Sequence, residues 1–126
     1  MILGVGLDLV PISRMATLLA RHGVRAERRL FSERERADCA GRGLPAQHYA
    51  ARFAAKEAAA KALGVPAGLR WLDIEVHSLP GGAPVLVFSG AAHAAAARRA
   101  VTAQHVSLTH AGGMAAAVVV LEGLPA

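Results

Sequence analysis

The sequence predicts an α+β domain, and three observations carry that prediction. A long run of helix formers, Tyr49 to Gly64 (YAARFAAKEAAAKALG), sits mid-chain with no proline or glycine before Gly64. Apolar, partly β-branched stretches open and close the chain, with helical segments clustered between them. The regular strand–helix alternation of a doubly wound sheet is therefore absent. The chain has 126 residues, one domain's worth over 1–126, and is long enough to bury a core.

Composition narrows the class further. Hydrophobic residues make up 54% but aromatics only 4%, so the core is built from Val, Leu, Ile and Ala. The formal net charge of +5 favours an anionic partner. One cysteine, Cys39, excludes an internal disulfide and reads as a small apolar filler. No apolar run reaches the length of a membrane span, and the N-terminus lacks the basic region of a signal peptide. A cytoplasmic protein is expected.

Taken in order, Ile2 to Val10 (ILGVGLDLV) reads as a buried strand interrupted by one charge, Asp8. An aspartate in such a strand needs a partner; capping the next helix and binding a metal are both open. Gly4 and Gly6 do not form a dinucleotide fingerprint, because the third glycine of that pattern is absent. Pro11 can open a helix whose apolar face is Ile12, Met15, Leu18 and Leu19. Eight arginines lie between Arg14 and Arg42, opposed only by Glu27, Glu33, Glu35 and Asp38. Ser32 and Glu35 match a capping box, which accounts for Glu35 without a catalytic role. Gly41 to Pro45 is a loop, and the central helix starts near Ala46 and ends at Gly64, a C′ glycine.

Beyond the loop Val65 to Leu69, Trp71 to Leu79 alternates as a strand, and Pro80 to Ala83 turns it into a return strand, Pro84 to Phe88. Ser89 can cap an alanine-rich helix from Gly90 to about Ala103. Gln104 to His110 and Met114 to Leu121 form a last pair of strands around Ala111-Gly112-Gly113. His22, His48, His77 and His93 fall in loops or on polar faces, and no Cys/His spacing suggests zinc.

The central helix concentrates the charge of interest. The chain's only lysines, Lys56 and Lys61, lie on it with Arg52 and Glu57. Positions four apart share a face, so Arg52 stacks with Lys56 and Glu57 with Lys61. The rest is nearly all alanine, which lets a neighbour approach the backbone closely.

Together these stretches resemble the small bacterial 4′-phosphopantetheinyl transferases, the holo-[acyl-carrier-protein] synthases. The matching segments are GVGLDLVPISRM (Gly4 to Met15), FSERE (Phe31 to Glu35), ARFAAKEAAAKALG (Ala51 to Gly64), WLDIEV (Trp71 to Val76), HVSLTH (His105 to His110) and AAAVVVLE (Ala115 to Glu122). They cover essentially the whole chain. The resemblance implies an antiparallel sheet packed against the long central helix. It also implies transfer of phosphopantetheine from coenzyme A to a serine of apo-acyl carrier protein, in fatty-acid or polyketide biosynthesis, with adenosine 3′,5′-bisphosphate as the other product.

Residue by residue, the resemblance assigns Asp8 and Glu57 to Mg²⁺, and Glu57, Lys61 and His110 to catalysis. Arg52, Lys56, Lys61 and His110 would bind coenzyme A phosphates. Arg14 would dock the acidic carrier, with Arg21 and Arg25 beside it. Glu35 could relay a proton from metal-bound water, set against its capping role. A homotrimer with sites between subunits is implied, and neither nucleic acid nor membrane as partner. The chain departs from the family at Gly64-Val65-Pro66, Gly82-Ala83-Pro84 and Gly113-Met114. Two rivals remain: a basic nucleic-acid-binding module, which lacks stacking groups and leaves Asp8 and Glu57 unexplained, and a subunit that binds carrier without catalysis.

Overall fold

The structure is a computed structural model and describes residues 1–124. The chain runs β1 (Ile2–Pro11), α1 (Ile12–His22), α2 (Val24–Leu30), α3 (Glu33–Ala40), α4 (Pro45–Ala62), a 3-10 turn (Trp71–Asp73), β2 (Ile74–Ser78), β3 (Pro84–Phe88), α5 (Gly90–Arg98), β4 (Val101–Ala111) and β5 (Met114–Gly123). Strands β1, β5 and β4 form an antiparallel sheet in that order, and β2 and β3 form a separate hairpin. The amide of Gln104 donates to the Leu86 carbonyl at 3.2 Å and ties the hairpin to β4.

The helix α4 lies across the inner face of the sheet. Ala54, Ala55, Ala58 and Ala59 are all fully buried on it. Beneath it the inner face presents Val10, Ala115, Ala117, Val119 and Leu121; on its other side lie Phe31, Ile74 and Val76. The rings of Phe31 and Tyr49 pack with centroids 4.7 Å apart. Cys39 is fully buried in this core, and burial pushes its thiol up to about 11, so it serves as filler.

The contact between α4 and β1 is unusually close. A Cβ on Gly6 would lie 1.7 Å from the Ala58 carbonyl oxygen, and one on Gly4 would lie 2.2 Å from that of Ala62. Only glycine fits at either position. Arg99 locks the same corner, donating to the carbonyls of Ala62 and Leu3 at 2.6 Å each.

This packing corrects the reading of β1 as a buried strand. Strand side chains alternate between faces, and β1 turns its glycines inward. Its large residues therefore face out: Val5, Leu7 and Leu9 are 58%, 65% and 60% exposed. They stand in register with Val120, Val118 and Ala116 of β5, so the outer sheet face is apolar and open.

Element boundaries also differ from the sequence reading. Trp71–Asp73 is a 3-10 turn rather than strand, because the Asp73 carboxylate accepts from the Arg70 backbone N–H at 3.0 Å and curls the chain. The helix α5 stops at Arg98, since Ala100 adopts φ 58° and turns the chain into β4. Ser89 sits at its N-cap without a side-chain hydrogen bond. The last hairpin closes as expected, with Gly112 and Gly113 at φ 58° and 78°, the left-handed pair a two-residue turn requires.

Replacing Gly6 with alanine should cost at least about 2 kcal/mol in urea unfolding, because the helix must lift off the strand. Gly43, where an added Cβ would meet nothing within 4 Å, should tolerate alanine at little cost. Equal losses would contradict the close-contact account.

Candidate active site

The placement of α4 sorts its polar residues onto two flanks. Arg52 and Glu57 are five positions apart, about 140° around the helix. Glu57 and Lys61 face the β1 edge of the sheet, whereas His48 and Arg52 face the seam between β4 and the β2–β3 hairpin.

On the first flank, Asp8 turns inward from β1. The Lys61 ammonium donates to Asp8 Oδ1 and to the Leu7 carbonyl, both at 3.0 Å. Asp8 does not cap α1, which has no side-chain cap. Glu57 sits half-buried beside them. Burial pushes its carboxyl above the usual range and the Asp8 charge pushes the same way, with Lys61 opposing. Two neighbouring carboxylates form a donor set that suits a hard divalent cation. Among the described residues no third acidic, histidine or cysteine ligand completes a cage. Such a site leaves positions for phosphate oxygens and water, the usual arrangement for Mg²⁺.

On the second flank, a cavity of about 290 Å³ is lined by Arg42, His48, Arg52, Ser78, Ser107 and His110, among others. Arg52 is 3% exposed. It donates to Asp38 at 3.4 Å and to Ser78 at 3.1 Å, while its buried Nε has no partner among the described residues. His110, at the end of β4, meets the Gln47 amide at 3.0 Å. Burial, then the charges of Arg42, Arg52 and His110, hold the His48 imidazole below its usual pKa. The cavity is thus basic and suits a phosphate-bearing ligand.

The two flanks do not meet within one chain. In the sheet, Asp8 pairs with Ala117 and Ala117 with Leu108, while His110 lies two residues further along β4. Strand spacing and rise put the Cα atoms of Asp8 and His110 about 12 Å apart, with α4 lying over the sheet between the two sets.

Two site expectations are corrected. Lys56 is no phosphate ligand, because its side chain is 0% exposed. Its ammonium is consumed by Glu35 Oε1 at 2.7 Å and by the carbonyls of Trp71 and Ile74. Burial pulls its pKa down while Glu35 acts to restore it. Nor can Glu35 relay a catalytic proton from the site. It is fully buried, closes the capping box with Ser32 and accepts from the Val76 N–H at 3.1 Å. Arg14, Arg21 and Arg25 lie on the exposed outer surface of α1 and α2, and none forms an ion pair among the described residues. Arg42, Gln47 and His48 were not singled out by the sequence reading. His48 stands four residues before Arg52, and that spacing was the available signal.

Fold and site define a transferase of the phosphopantetheinyl class. The model of the 4′-phosphopantetheinyl transferase superfamily matches residues 4–119, and the chain belongs to that family. It is 55% identical over 126 residues to holo-[acyl-carrier-protein] synthase of Anaeromyxobacter dehalogenans strain 2CP-1, covering 98% of each chain. Among solved structures it is similar to the Helicobacter pylori holo-[acyl-carrier-protein] synthase in complex with coenzyme A, with TM-score 0.82, 31% identity and coverage of 94% and 99%. It is likewise similar to the Bacillus anthracis synthase in complex with CoA (3′,5′-ADP), with TM-score 0.80, 33% identity and coverage of 98% and 99%.

The two lysines should separate cleanly in urea unfolding. Lys56→Met strands a buried carboxylate and should cost about 3 kcal/mol or more. Lys61→Met breaks an exposed pair and should cost under about 1 kcal/mol. Comparable losses would contradict the division between structural and site lysine.

Proposed function

We propose that this protein transfers the 4′-phosphopantetheine group of coenzyme A to a serine hydroxyl of an apo-acyl carrier protein, releasing adenosine 3′,5′-bisphosphate. The observation that carries the reading is the meeting of Asp8, Glu57 and Lys61 at one edge of the sheet. The basic cavity on the opposite flank of α4 supports it, as do relatives named holo-[acyl-carrier-protein] synthase and one solved with coenzyme A.

In the reaction the serine oxygen bonds to the phosphorus that bears pantetheine. The bond from that phosphorus to the bridging oxygen breaks, and its electron pair leaves with the bisphosphate. The serine proton goes to solvent. Asp8 and Glu57 would hold Mg²⁺, which when bound supplies charge neutralisation to the pyrophosphate. Lys61 supplies a mobile ammonium beside that charge. Arg52 and His110, with Arg42 and His48, form the pocket for the nucleotide phosphates. Exposed Arg14, Arg21 and Arg25 offer the acidic carrier a steering surface whose benefit fades with salt.

The open apolar face of Val5, Leu7, Leu9, Val118 and Val120 supports self-association. In the proposed homotrimer, the carboxylate flank of one subunit meets the basic flank of the next, which supplies the complete site that one chain lacks. Fatty-acid biosynthesis is the proposed setting, with polyketide carriers as the alternative substrates. No helix among the described residues is long and apolar enough to cross a membrane, which accords with the proposed cytoplasmic location.

Intact-mass spectrometry of apo-acyl carrier protein incubated with this protein, coenzyme A and Mg²⁺ tests the reading. A gain of one phosphopantetheine arm is expected, abolished by EDTA and reduced at least about 100-fold in rate by Glu57→Gln. Carrier that stays unmodified under all conditions would overturn it.

A further inference from the structure

We propose that Lys61 is an exchangeable counter-ion for Asp8, holding the carboxylate until a divalent cation takes its place and releases the ammonium toward the substrate's pyrophosphate. The inference rests on the metal reading above and concerns what Lys61 does within it.

Both acceptors of the Lys61 ammonium lie on β1, Asp8 Oδ1 and the Leu7 carbonyl, each at 3.0 Å. Because β1 is an edge strand paired, among the described residues, only with β5, the Leu7 carbonyl has no ladder partner there on the free edge. Lys61 therefore satisfies an edge carbonyl and neutralises one carboxylate at once. Glu57, one helical turn away, has no ion pair among the described residues. One monocation thus serves a site of two carboxylates, and a divalent cation matches their charge better. A cation bound by Asp8 would compete with Lys61 for the same oxygen.

The exchange is physically easy. The Lys61 side chain is 51% exposed, and an ion pair so open to water is weak. Its four-carbon stem can swing without disturbing the fold. Lys56, five residues earlier, shows the opposite design: it is fully enclosed and cannot exchange. Displacement of Lys61 delivers a free ammonium next to the cation at the moment the site gains positive charge. Metal and coenzyme A binding should then be coupled through this side chain.

The chain's possession of only two lysines makes the exchange visible. Protein carrying ¹³C-labelled lysine should show two Cε environments, assigned by the loss of one in Lys61→Met. Titration with MgCl₂ should move the Lys61 resonance to the position it holds in Asp8→Asn protein, leaving Lys56 unmoved. Calorimetry should show Mg²⁺ affinity rising about two- to five-fold in Lys61→Met, the gain expected from removing an exposed competing pair. If Mg²⁺ binds the wild type but the Lys61 resonance stays in place and Lys61→Met binds no tighter, the exchange is refuted while the metal site stands. Binding heat that is absent from the wild type, or unchanged by Asp8→Asn, would overturn the metal site and the exchange together.

Discussion

Everything in this molecule depends on how closely α4 approaches β1. The carbonyl oxygens of Ala58 and Ala62 occupy space that any side chain on Gly6 or Gly4 would need. That contact sets the height and direction of the helix over the sheet. It brings Lys61 within hydrogen-bonding distance of Asp8 and Glu57 close enough to feel the Asp8 charge. A helix standing off by one side-chain layer would leave both carboxylates without a common ligand. The same glycines push the bulky residues of β1 to the outer face and so create the apolar surface of the proposed trimer.

Two lysine–carboxylate pairs on one helix illustrate how burial assigns roles. Lys56 and Glu35 are enclosed together, and their geometry joins α3, α4 and the start of β2. Desolvation makes such a pair indifferent as a net stabiliser but costly to break. Lys61 is half in water while Asp8 is largely sheltered, so the ammonium is held weakly and is replaceable. Lys56 and Glu57 are neighbours in sequence, yet about 100° of helical rotation sends one into the core and the other to the site edge.

The architecture was legible because its signals are local. The central helix, the capping box at Ser32 and the glycine hairpin at Gly112-Gly113 follow from helix propensity, side-chain capping and left-handed turns. The resemblance assigned Asp8 and Glu57 to one metal, and in the structure the Asp8 charge reaches the Glu57 carboxyl. What could not be read were choices settled by tertiary packing. Lys56 looks as available as Lys61 in the sequence, and only the layer formed by Glu35, Trp71 and Ile74 encloses it. Likewise β1 reads as buried on both faces because its outward residues are apolar; a monomer's sequence does not distinguish a core strand from a sheet face kept for a partner. His48 reads as an ordinary polar residue until the hairpin places Ser78 across from it.

The two sets of site residues lie on opposite flanks of α4 within one chain, and the proposed homotrimer completes the site between subunits. Co-expression of differently tagged Asp8→Asn and His110→Ala chains, followed by purification of mixed oligomers, tests it most directly. Each variant alone should be nearly inactive. Mixed trimers are expected to regain activity approaching about one third of wild type, because one interface in three of a mixed cyclic trimer pairs an intact Asp8 with an intact His110. Mixed oligomers that assemble but stay as inactive as their parents would contradict it.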